Sequence, residues 1–365
     1  MGYFAIRRKI EMTKRILLTG ASGFVGSHVL RHILTTTDWE VVCPVTFRHK
    51  GLSDRLVTAM EDQDQSRVTI VQTDLTAPIS KVTAHKFGDI NYILNVASES
   101  HVDRSIEEPA AFIQSNVALI TNILDYARTL DNLEVFLQVS TDEVYGPAPT
   151  GVNHREWVDL IKPSNPYAAS KAAQEAIAFS YWRTYDIPLV TTNTLNILGE
   201  TQSNEKMFMK TLKSVVDGTT MTIHASPEGV VGSRFYIHAR NQADALLFLL
   251  EHFSADHNQV KDDVTTGEVE SLRYSQGGTV HPKYNVVGET EVDNLTLANM
   301  IADAAGKELK YELVDFHSSR PGHDLRYALD GAKLAGLGWV APVPFDKTVK
   351  SIVDWTLKNP EWLLE

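Results

Sequence analysis

Cysteine is almost absent from this sequence, which has a single one, Cys43, among 365 residues. One thiol cannot form an internal disulfide, and it excludes a zinc site made from several cysteines, so no metal centre is predicted. Cys43 lies in an apolar, strand-like run, where a free cysteine behaves as a small apolar side chain. We therefore expect it to pack in the core.

Basic residues and long apolar runs are also scarce. The chain has 34 Lys and Arg against 46 Asp and Glu, and its net charge of -12 argues against a nucleic-acid partner, although a local basic pocket could hold a phosphorylated substrate. No apolar run approaches the roughly 18 residues of a membrane span, and the N-terminus lacks the apolar region of a signal peptide. We expect a cytoplasmic protein without a membrane partner, and we interpret residues 1–12 as an N-terminal extension outside the fold.

Glycines cluster where a first predicted strand, residues 14–19, meets a predicted helix that ends near Leu34. Gly20 can make the tight turn, Gly23 lets the backbone approach a pyrophosphate, and Gly26 allows the helix to pack closely on the strand. This context predicts a dinucleotide-phosphate site, with a plain glycine turn as the alternative. The neighbouring residues of the predicted site are Ser22, Phe24 and Val25.

Strands and helices alternate from residue 13 to residue 195, which predicts an α/β fold with a doubly wound parallel Rossmann sheet as the dinucleotide-binding domain. The alternation then stops. Residues 196–365 are predicted to form mainly a smaller C-terminal α/β substrate-binding domain, with residues 235–253 returning to the first domain. The long polar stretch 254–283 is expected at the surface.

An acid is missing where NAD-binding sheets usually hold the ribose, at the end of the second predicted strand, Glu40–Val45. Arg48, His49 and Lys50 follow instead, and such a basic cluster could accept the extra phosphate of NADP. A solvated loop is the alternative. Further cofactor contacts are predicted at Asp74, Leu75, Ala97, Ser98, Ser100, Asn116, Ser140, Tyr167 and Lys171.

A hydroxyl and two adjacent carboxylates follow an apolar run, as Thr141, Asp142 and Glu143. The carboxyl ends of parallel strands face the ligand crevice, and neighbouring acids there should separate in pKa into one acid and one base. A solvated turn is the alternative. Tyr167 and Lys171 favour the chemical interpretation, because i,i+4 spacing puts the phenol and the ammonium on one helix face, where the cation can favour the phenolate.

Four separated motifs occur in one order along the chain. They are residues 99–105, residues 141–146, Asn165-Pro166-Tyr167, and residues 320–324 with Arg326 and Tyr327. With the glycine turn, they resemble the extended short-chain dehydrogenase/reductase family, and within it the NAD-dependent epimerase/dehydratases of the dTDP-glucose 4,6-dehydratase type. The resemblance extends from Thr13 over nearly the whole chain. Epimerases of the same superfamily usually lack the carboxylate pair.

The resemblance implies a nucleotide-sugar 4,6-dehydratase that converts an NDP-hexose to an NDP-4-keto-6-deoxy sugar. Tyr167, helped by Lys171 and Thr141, would take the proton of the sugar 4-hydroxyl while C4 gives up its hydride. Glu143 would then remove the C5 proton as Asp142 protonates the departing 6-hydroxyl, and the hydride would return to C6. The implied cofactor is NAD, with NADP not excluded.

The resemblance also implies substrate contacts, although the segment 195–206 departs from the family at Leu198, Glu200 and Ser203. These departures leave the nucleotide base and the sugar configuration open. The implied substrate-binding residues are Ser100, His101, Asn196, Glu205, Lys206, Arg234, Arg320 and His323.

Family dimers pair two long helices from each subunit, so the resemblance implies a homodimer through helices 109–130 and 170–186. Two alternative functions stay open. An epimerase or reductase of the same fold would keep Thr141, Tyr167 and Lys171 but give the two carboxylates only structural roles. A dinucleotide sensor would keep the fold without turnover.

Overall fold

The computed structural model describes residues 13–48, 50–255, 280–315 and 326–364. The predictions for residues 1–12, His49, Arg320 and His323, and for nearly all of the stretch 254–283, lie outside the described residues.

The first half alternates strands and helices as follows: β1 Arg15–Thr19, α1 Phe24–Thr36, β2 Glu40–Val45, α2 Ser53–Met60, β3 Val68–Gln72, α3 Lys81–Phe87, β4 Tyr92–Asn95, α4 Val102–Glu107, α5 Pro109–Ala127, β5 Val135–Thr141, α6 Pro166–Tyr185 and β6 Leu189–Thr194. The second half contains β7 Asn196–Leu198, α7 Met207–Asp217, β8 Thr220–Ala225, β9 Ser233–His238, α8 Ala239–Ala255, β10 Lys283–Val286, β11 Glu291–Asp293, α9 Asn294–Ala305, β12 Lys310–Asp315, β13 Arg326–Tyr327, α10 Ala332–Gly336 and α11 Phe345–Lys358.

The central sheet has seven strands in the order β10-β6-β5-β4-β1-β2-β3. All six pairings between neighbours are parallel. The chain runs outward from β1 to β3 and then returns to β4, so the direction of winding changes between β1 and β4. This confirms the predicted doubly wound parallel sheet, and it places the ligand crevice at the carboxyl ends of these two strands.

Apolar residues on both faces of the strands explain the layered arrangement. Ile16 and Leu18 of β1 pack in a cluster with residues of α1 and α8, whereas Leu17 packs on the opposite side with residues of α5 and α6. Burying a side chain of this size stabilises the fold by about 1.5–3 kcal/mol. Cys43 is fully buried in the first cluster, which confirms its predicted place in the core.

Two elements of the second half join the large sheet layer. Helix α8 packs against α1 through apolar residues that include Leu246 and Leu250. Strand β10 lies parallel to β6, with Lys283 opposite Thr191. The sequence pattern did not predict β10, because a strand of four residues beside a long polar stretch carries little periodicity.

The remaining elements form a smaller region beside the carboxyl ends of β5 and β6. Strand β9 pairs with β7, β11 and β13, and β8 pairs with β12. Helices α7, α9 and α11 share an apolar core with members such as Phe208, Ile301 and Ile352. Within the described ranges, no helix is long and apolar enough to cross a membrane.

Candidate active site

The backbone in the turn after β1 is packed so closely that two of its glycines have no room for a side chain. Gly20 has a positive φ of 75°, and a Cβ there would lie 2.9 Å from the amide nitrogen of Ala97. A Cβ on Gly26 would lie 2.0 Å from the carbonyl oxygen of Gly20. Helix α1 begins after Gly23, and no side chain in the described part of the chain caps its first turn. The amides of that turn can therefore bind an anion such as a pyrophosphate.

The loop after β4 forms the other wall of the crevice. The amide of Ala97 donates to Thr19 Oγ1 at 3.0 Å, and Asn116 Oδ1 accepts from Glu99 N at 2.8 Å. The Asn116 amide also donates to Ser170 Oγ on α6 at 2.8 Å. Asn116, predicted as a cofactor contact, thus fixes this loop against α6. Ser98 Oγ also donates to Asn116 Oδ1.

The basic cluster after β2 is engaged by carboxylates. Arg48 Nη1 lies 2.6 Å from Asp74 Oδ2, and Lys50 Nζ lies 3.4 Å from Glu205 Oε2. Hydrogen bonds from Thr76 first, and the Arg48 charge among further causes, hold the pKa of Asp74 below its usual value. Arg48 and Lys50 therefore each have a carboxylate partner within the protein, at the solvent-exposed surface of this loop.

The two predicted catalytic carboxylates occupy different environments at the end of β5. Asp142 is 4% exposed, its Oδ1 accepts from Thr141 Oγ1 at 2.9 Å, and its Oδ2 has no hydrogen-bond partner among the described residues. Burial, together with the Glu143 charge, raises the pKa of Asp142 to about 7. Glu143 is partly exposed, and its Oε2 accepts from Asn165 Nδ2 at 2.9 Å. Asp142 can therefore hold a proton at neutral pH inside the site.

Helix α6 brings Tyr167 to the same place. Asn165 caps the helix, since its Oδ1 accepts from the amide of Ala168 at 2.8 Å, and Pro166 occupies the first turn. Besides the effect of burial, the Thr141 hydroxyl lowers the pKa of the Tyr167 phenol, whereas the charges of Glu143 and Asp142 raise it, so the phenol lies near all three side chains. Thr141, Asp142, Glu143 and Tyr167 are thus brought together, as predicted.

The predicted effect of Lys171 on Tyr167 stays a prediction, because other influences on the two pKa values act against it. The Lys171 ammonium donates to the carbonyl of Val139 and to Gln174 Oε1, both at 2.7 Å. Burial raises the pKa of Tyr167, and the charges of Glu143 and Asp142 add to that rise, so the phenolate is disfavoured. Burial likewise lowers the pKa of Lys171 to about 7. Desolvation and the nearby carboxylates therefore oppose the phenolate that the helix spacing predicts.

Some of the predicted substrate residues also meet. His101 Nε2 lies 3.3 Å from Glu205 Oε1, and Lys206 immediately precedes α7 as its N-cap. Arg234 Nη1 donates to the carbonyl of Ser233, and its guanidinium lies 4.7 Å from the centre of the Tyr327 ring. Ser100 and Asn196 are exposed.

The comparisons with known proteins agree with this geometry. A family model described as GDP-mannose 4,6 dehydratase matches residues 17–352. The chain belongs to this family. The family resemblance inferred from the motifs is thereby confirmed.

Individual relatives of this 4,6-dehydratase family match the chain over nearly its full length. dTDP-glucose 4,6-dehydratase 1 of Escherichia coli K12 is 32% identical over 96% of this chain and 94% of its own length. The low-salt glycan biosynthesis protein Agl12 of Haloferax volcanii is 31% identical over 95% of this chain and 99% of its own. The crystal structure of DesIV, a dTDP-glucose 4,6-dehydratase from Streptomyces venezuelae with NAD and TYD bound, is 27% identical, with a TM-score of 0.77 over 95% of this chain and 98% of that one.

Two residues that matter for this site were not predicted to take part in it. Asn165 joins the start of α6 to Glu143, and an Asn-Pro pair before a helix is a capping signal that could have revealed it. Arg55 is 1% exposed and donates to the carbonyl of Thr201 at 3.0 and 2.9 Å, which ties α2 to the segment before α7. No local pattern marks Arg55, because its partner lies 146 residues away.

Proposed function

We propose that this protein is an NAD-dependent nucleotide-sugar 4,6-dehydratase that converts an NDP-hexose, with dTDP-glucose as the first candidate, to the NDP-4-keto-6-deoxy sugar. The observation that carries the proposal is the pair Asp142 and Glu143, two adjacent carboxylates in unlike environments beside Tyr167. Water elimination needs a base at C5 and an acid at the 6-hydroxyl, whereas a 4-epimerase, which acts only at C4, needs no such carboxylate pair.

Each side chain has a proton to move. Tyr167, near the Thr141 hydroxyl and one helical turn before Lys171, takes the proton of the sugar 4-hydroxyl in its phenolate form as C4 is oxidised to a ketone. A positive charge beside the phenol, such as the nicotinamide ring of bound NAD, would have to favour that phenolate against burial. The ketone acidifies the hydrogen at C5, and Glu143 removes it as a proton. Asp142, whose raised pKa of about 7 leaves much of it protonated at neutral pH, gives its proton to the departing 6-hydroxyl, so one water leaves.

The glycine turn after β1 and the start of α1 fit the pyrophosphate of a dinucleotide. The close approaches at Gly20 and Gly26, the uncapped start of α1 and the buried Ser140 hydroxyl, which has no partner among the described residues, support binding at this crevice. NAD, when bound, supplies the acceptor and later the donor of the hydride. The Arg48 pairing with Asp74 favours NAD over NADP, because a second phosphate would have to compete with that carboxylate. We assign residues 13–195 and 235–253 to the dinucleotide-binding part.

The experiment is incubation with NAD and a panel of nucleotide sugars, followed by mass spectrometry. The expected product from at least one sugar has lost one water and carries a 4-ketone, without accumulation of free reduced cofactor. Tyr167→Phe should block oxidation itself, because it removes the oxygen that takes the first proton. An isomer of unchanged mass would favour the epimerase, and tight NAD binding without any sugar product would favour the sensor.

We further propose a cytoplasmic homodimer formed through α5 and α6. These helices pack on each other and leave apolar side chains partly exposed, among them Ile113, Val117 and Ile177. Pairing of the same two helices from a second subunit would cover these side chains. Sedimentation of the wild type as a dimer and of Val117→Asp as a monomer would support the interface; a wild-type monomer would contradict it.

A further inference from the structure

An ion pair is buried behind the proposed catalytic helix, outside the set of residues that handle protons in the proposed reaction. Lys283 Nζ on β10 donates to Glu175 Oε2 on α6 at 2.7 Å, with the side chains 2% and 6% exposed. The ammonium also lies 4.9 Å from the centre of the Tyr145 ring and 5.2 Å from that of Trp157. A buried ion pair seldom adds stability compared with apolar residues of the same size, so another role for it is worth seeking.

Glu175 shares a helix face with the proposed catalytic residues. Tyr167, Lys171 and Glu175 follow one another at intervals of four residues, which places them along one side of α6. The negative charge of Glu175 opposes the burial that lowers the pKa of Lys171. Glu175 therefore favours the ammonium form of Lys171.

Glu175 also reaches the end of β5 through one side chain. Asn193 Nδ2 donates to Glu175 Oε1 at 2.8 Å and to the main-chain oxygen of Thr141 at 2.9 Å. Both partners are acceptors, so the hydrogen bonds determine which way the amide points. Thr141 in turn donates its hydroxyl to Asp142 Oδ1, and the same hydroxyl lowers the pKa of Tyr167. A movement of Glu175 would therefore displace Thr141, which lies beside the proposed catalytic residues.

We propose that Glu175 and Lys283 are positioning residues for the proposed reaction: Glu175 holds the end of β5 through Asn193 and presents a negative charge to Lys171, and Lys283 keeps that carboxylate in place. This inference rests on the proposed function. It gives β10, which the sequence pattern did not predict, a role in the active site.

The other groups that contact Lys171 are neutral and stay the same when the pair is changed: the carbonyl of Val139 on β5 and the side chain of Gln174 on α6. Glu175 is the charged group that acts on the pKa of Lys171. A change in the titration of Lys171 would therefore report on Glu175 and Lys283.

The test uses the full chain with both partners made neutral, Glu175→Gln with Lys283→Met. Replacing both charges together avoids a lone buried charge, so this variant should fold. We expect the titration of the Lys171 amine, followed by nitrogen-15 NMR and assigned with Lys171→Met, to move down by about one pH unit. In the pH profile of kcat, the fall on the alkaline side should move to lower pH together with the Lys171 titration. Near neutral pH, kcat should fall about tenfold while KM changes little.

Lys283→Met alone provides a second comparison. It leaves the Glu175 carboxylate facing Lys171, so the Lys171 titration should move up or stay in place while the melting temperature falls, because the carboxylate has lost its partner. The matched control is Lys350→Met with Asp354→Asn, an exposed i,i+4 pair on α11, which should alter neither measurement.

The outcomes separate the inference from the function on which it rests. If the wild type dehydrates a nucleotide sugar and the neutral pair leaves the Lys171 titration and the alkaline limb unmoved, the pair is merely structural and the inference is wrong. A wild type that dehydrates no nucleotide sugar would overturn the proposed function instead, whatever the NMR titration shows.

Discussion

Replacing Asp142 by asparagine should make the stability of the protein less dependent on pH. The pKa of Asp142 is raised from 3.8 to about 7, by burial first and by the Glu143 charge second. Between these two values the folded state holds a proton that the unfolded state has released. The free energy of unfolding of the wild type should therefore fall as the pH rises from about 4 to about 7.

The size of the effect follows from the shift. Three pKa units correspond to at most about 4 kcal/mol once the pH has passed both values. The amide has no charge to bury, and its oxygen can still accept from Thr141. Its NH2 group takes the place of Oδ2, which has no partner among the described residues, and an unsatisfied buried donor costs about 1–3 kcal/mol at every pH. Only the pH dependence of the difference therefore reports on the charge.

Urea unfolding at about pH 4 and about pH 8 measures this difference. We expect the stability of Asp142→Asn relative to the wild type to increase by about 2–4 kcal/mol from the lower to the higher pH. Asp354→Asn, at an exposed position on α11, is the matched control and should show little change. An Asp142→Asn difference that is the same at both pH values would refute a buried, proton-holding carboxyl group.

Three further predictions concern single residues. Glu143→Gln should bind substrate and oxidise C4 but slow the loss of water by about a hundredfold to ten-thousandfold, seen as persistent absorbance of bound reduced cofactor; wild-type turnover would remove Glu143 from the mechanism. Gly26→Ala should weaken NAD binding measured by calorimetry, since its Cβ would lie 2.0 Å from a carbonyl oxygen; unchanged affinity would contradict the proposal that the glycine turn binds NAD. Arg48→Ala should leave the preference for NAD over NADP in place, because Arg48 is already paired with Asp74; a wild type that binds NADP more tightly would show this interpretation to be wrong.

The parts of the fold that depend on local patterns could be predicted from the sequence. Strand β2 was predicted with the bounds that the structure gives it, Glu40–Val45, because a buried parallel strand is a continuous apolar run. The proximity of Tyr167 to Asp142 and Glu143 could also be predicted, since the carboxyl ends of parallel strands and the helices that follow them meet at one edge of the sheet.

The electrostatics of the site could not be predicted, because they depend on burial and on distant partners. The spacing of Tyr167 and Lys171 indicated a favoured phenolate, yet desolvation acts against it in the structure. Lys283 reads in the sequence as an ordinary polar residue near a loop. Its partner Glu175 is 108 residues away, and only the pairing of β10 with β6 brings the two charges together.

The route of one hydrogen atom tests the central proposal most directly. A nucleotide sugar that carries deuterium at C4 should be incubated in ordinary water with the protein and NAD, and the product examined by NMR. We predict the deuterium at C6 of a 4-keto-6-deoxy sugar, with a solvent-derived hydrogen at C5, because the C4 hydride returns to the carbon that lost water. Deuterium that stays at C4 of an epimer, or that leaves in free reduced cofactor, would contradict the 4,6-dehydratase assignment.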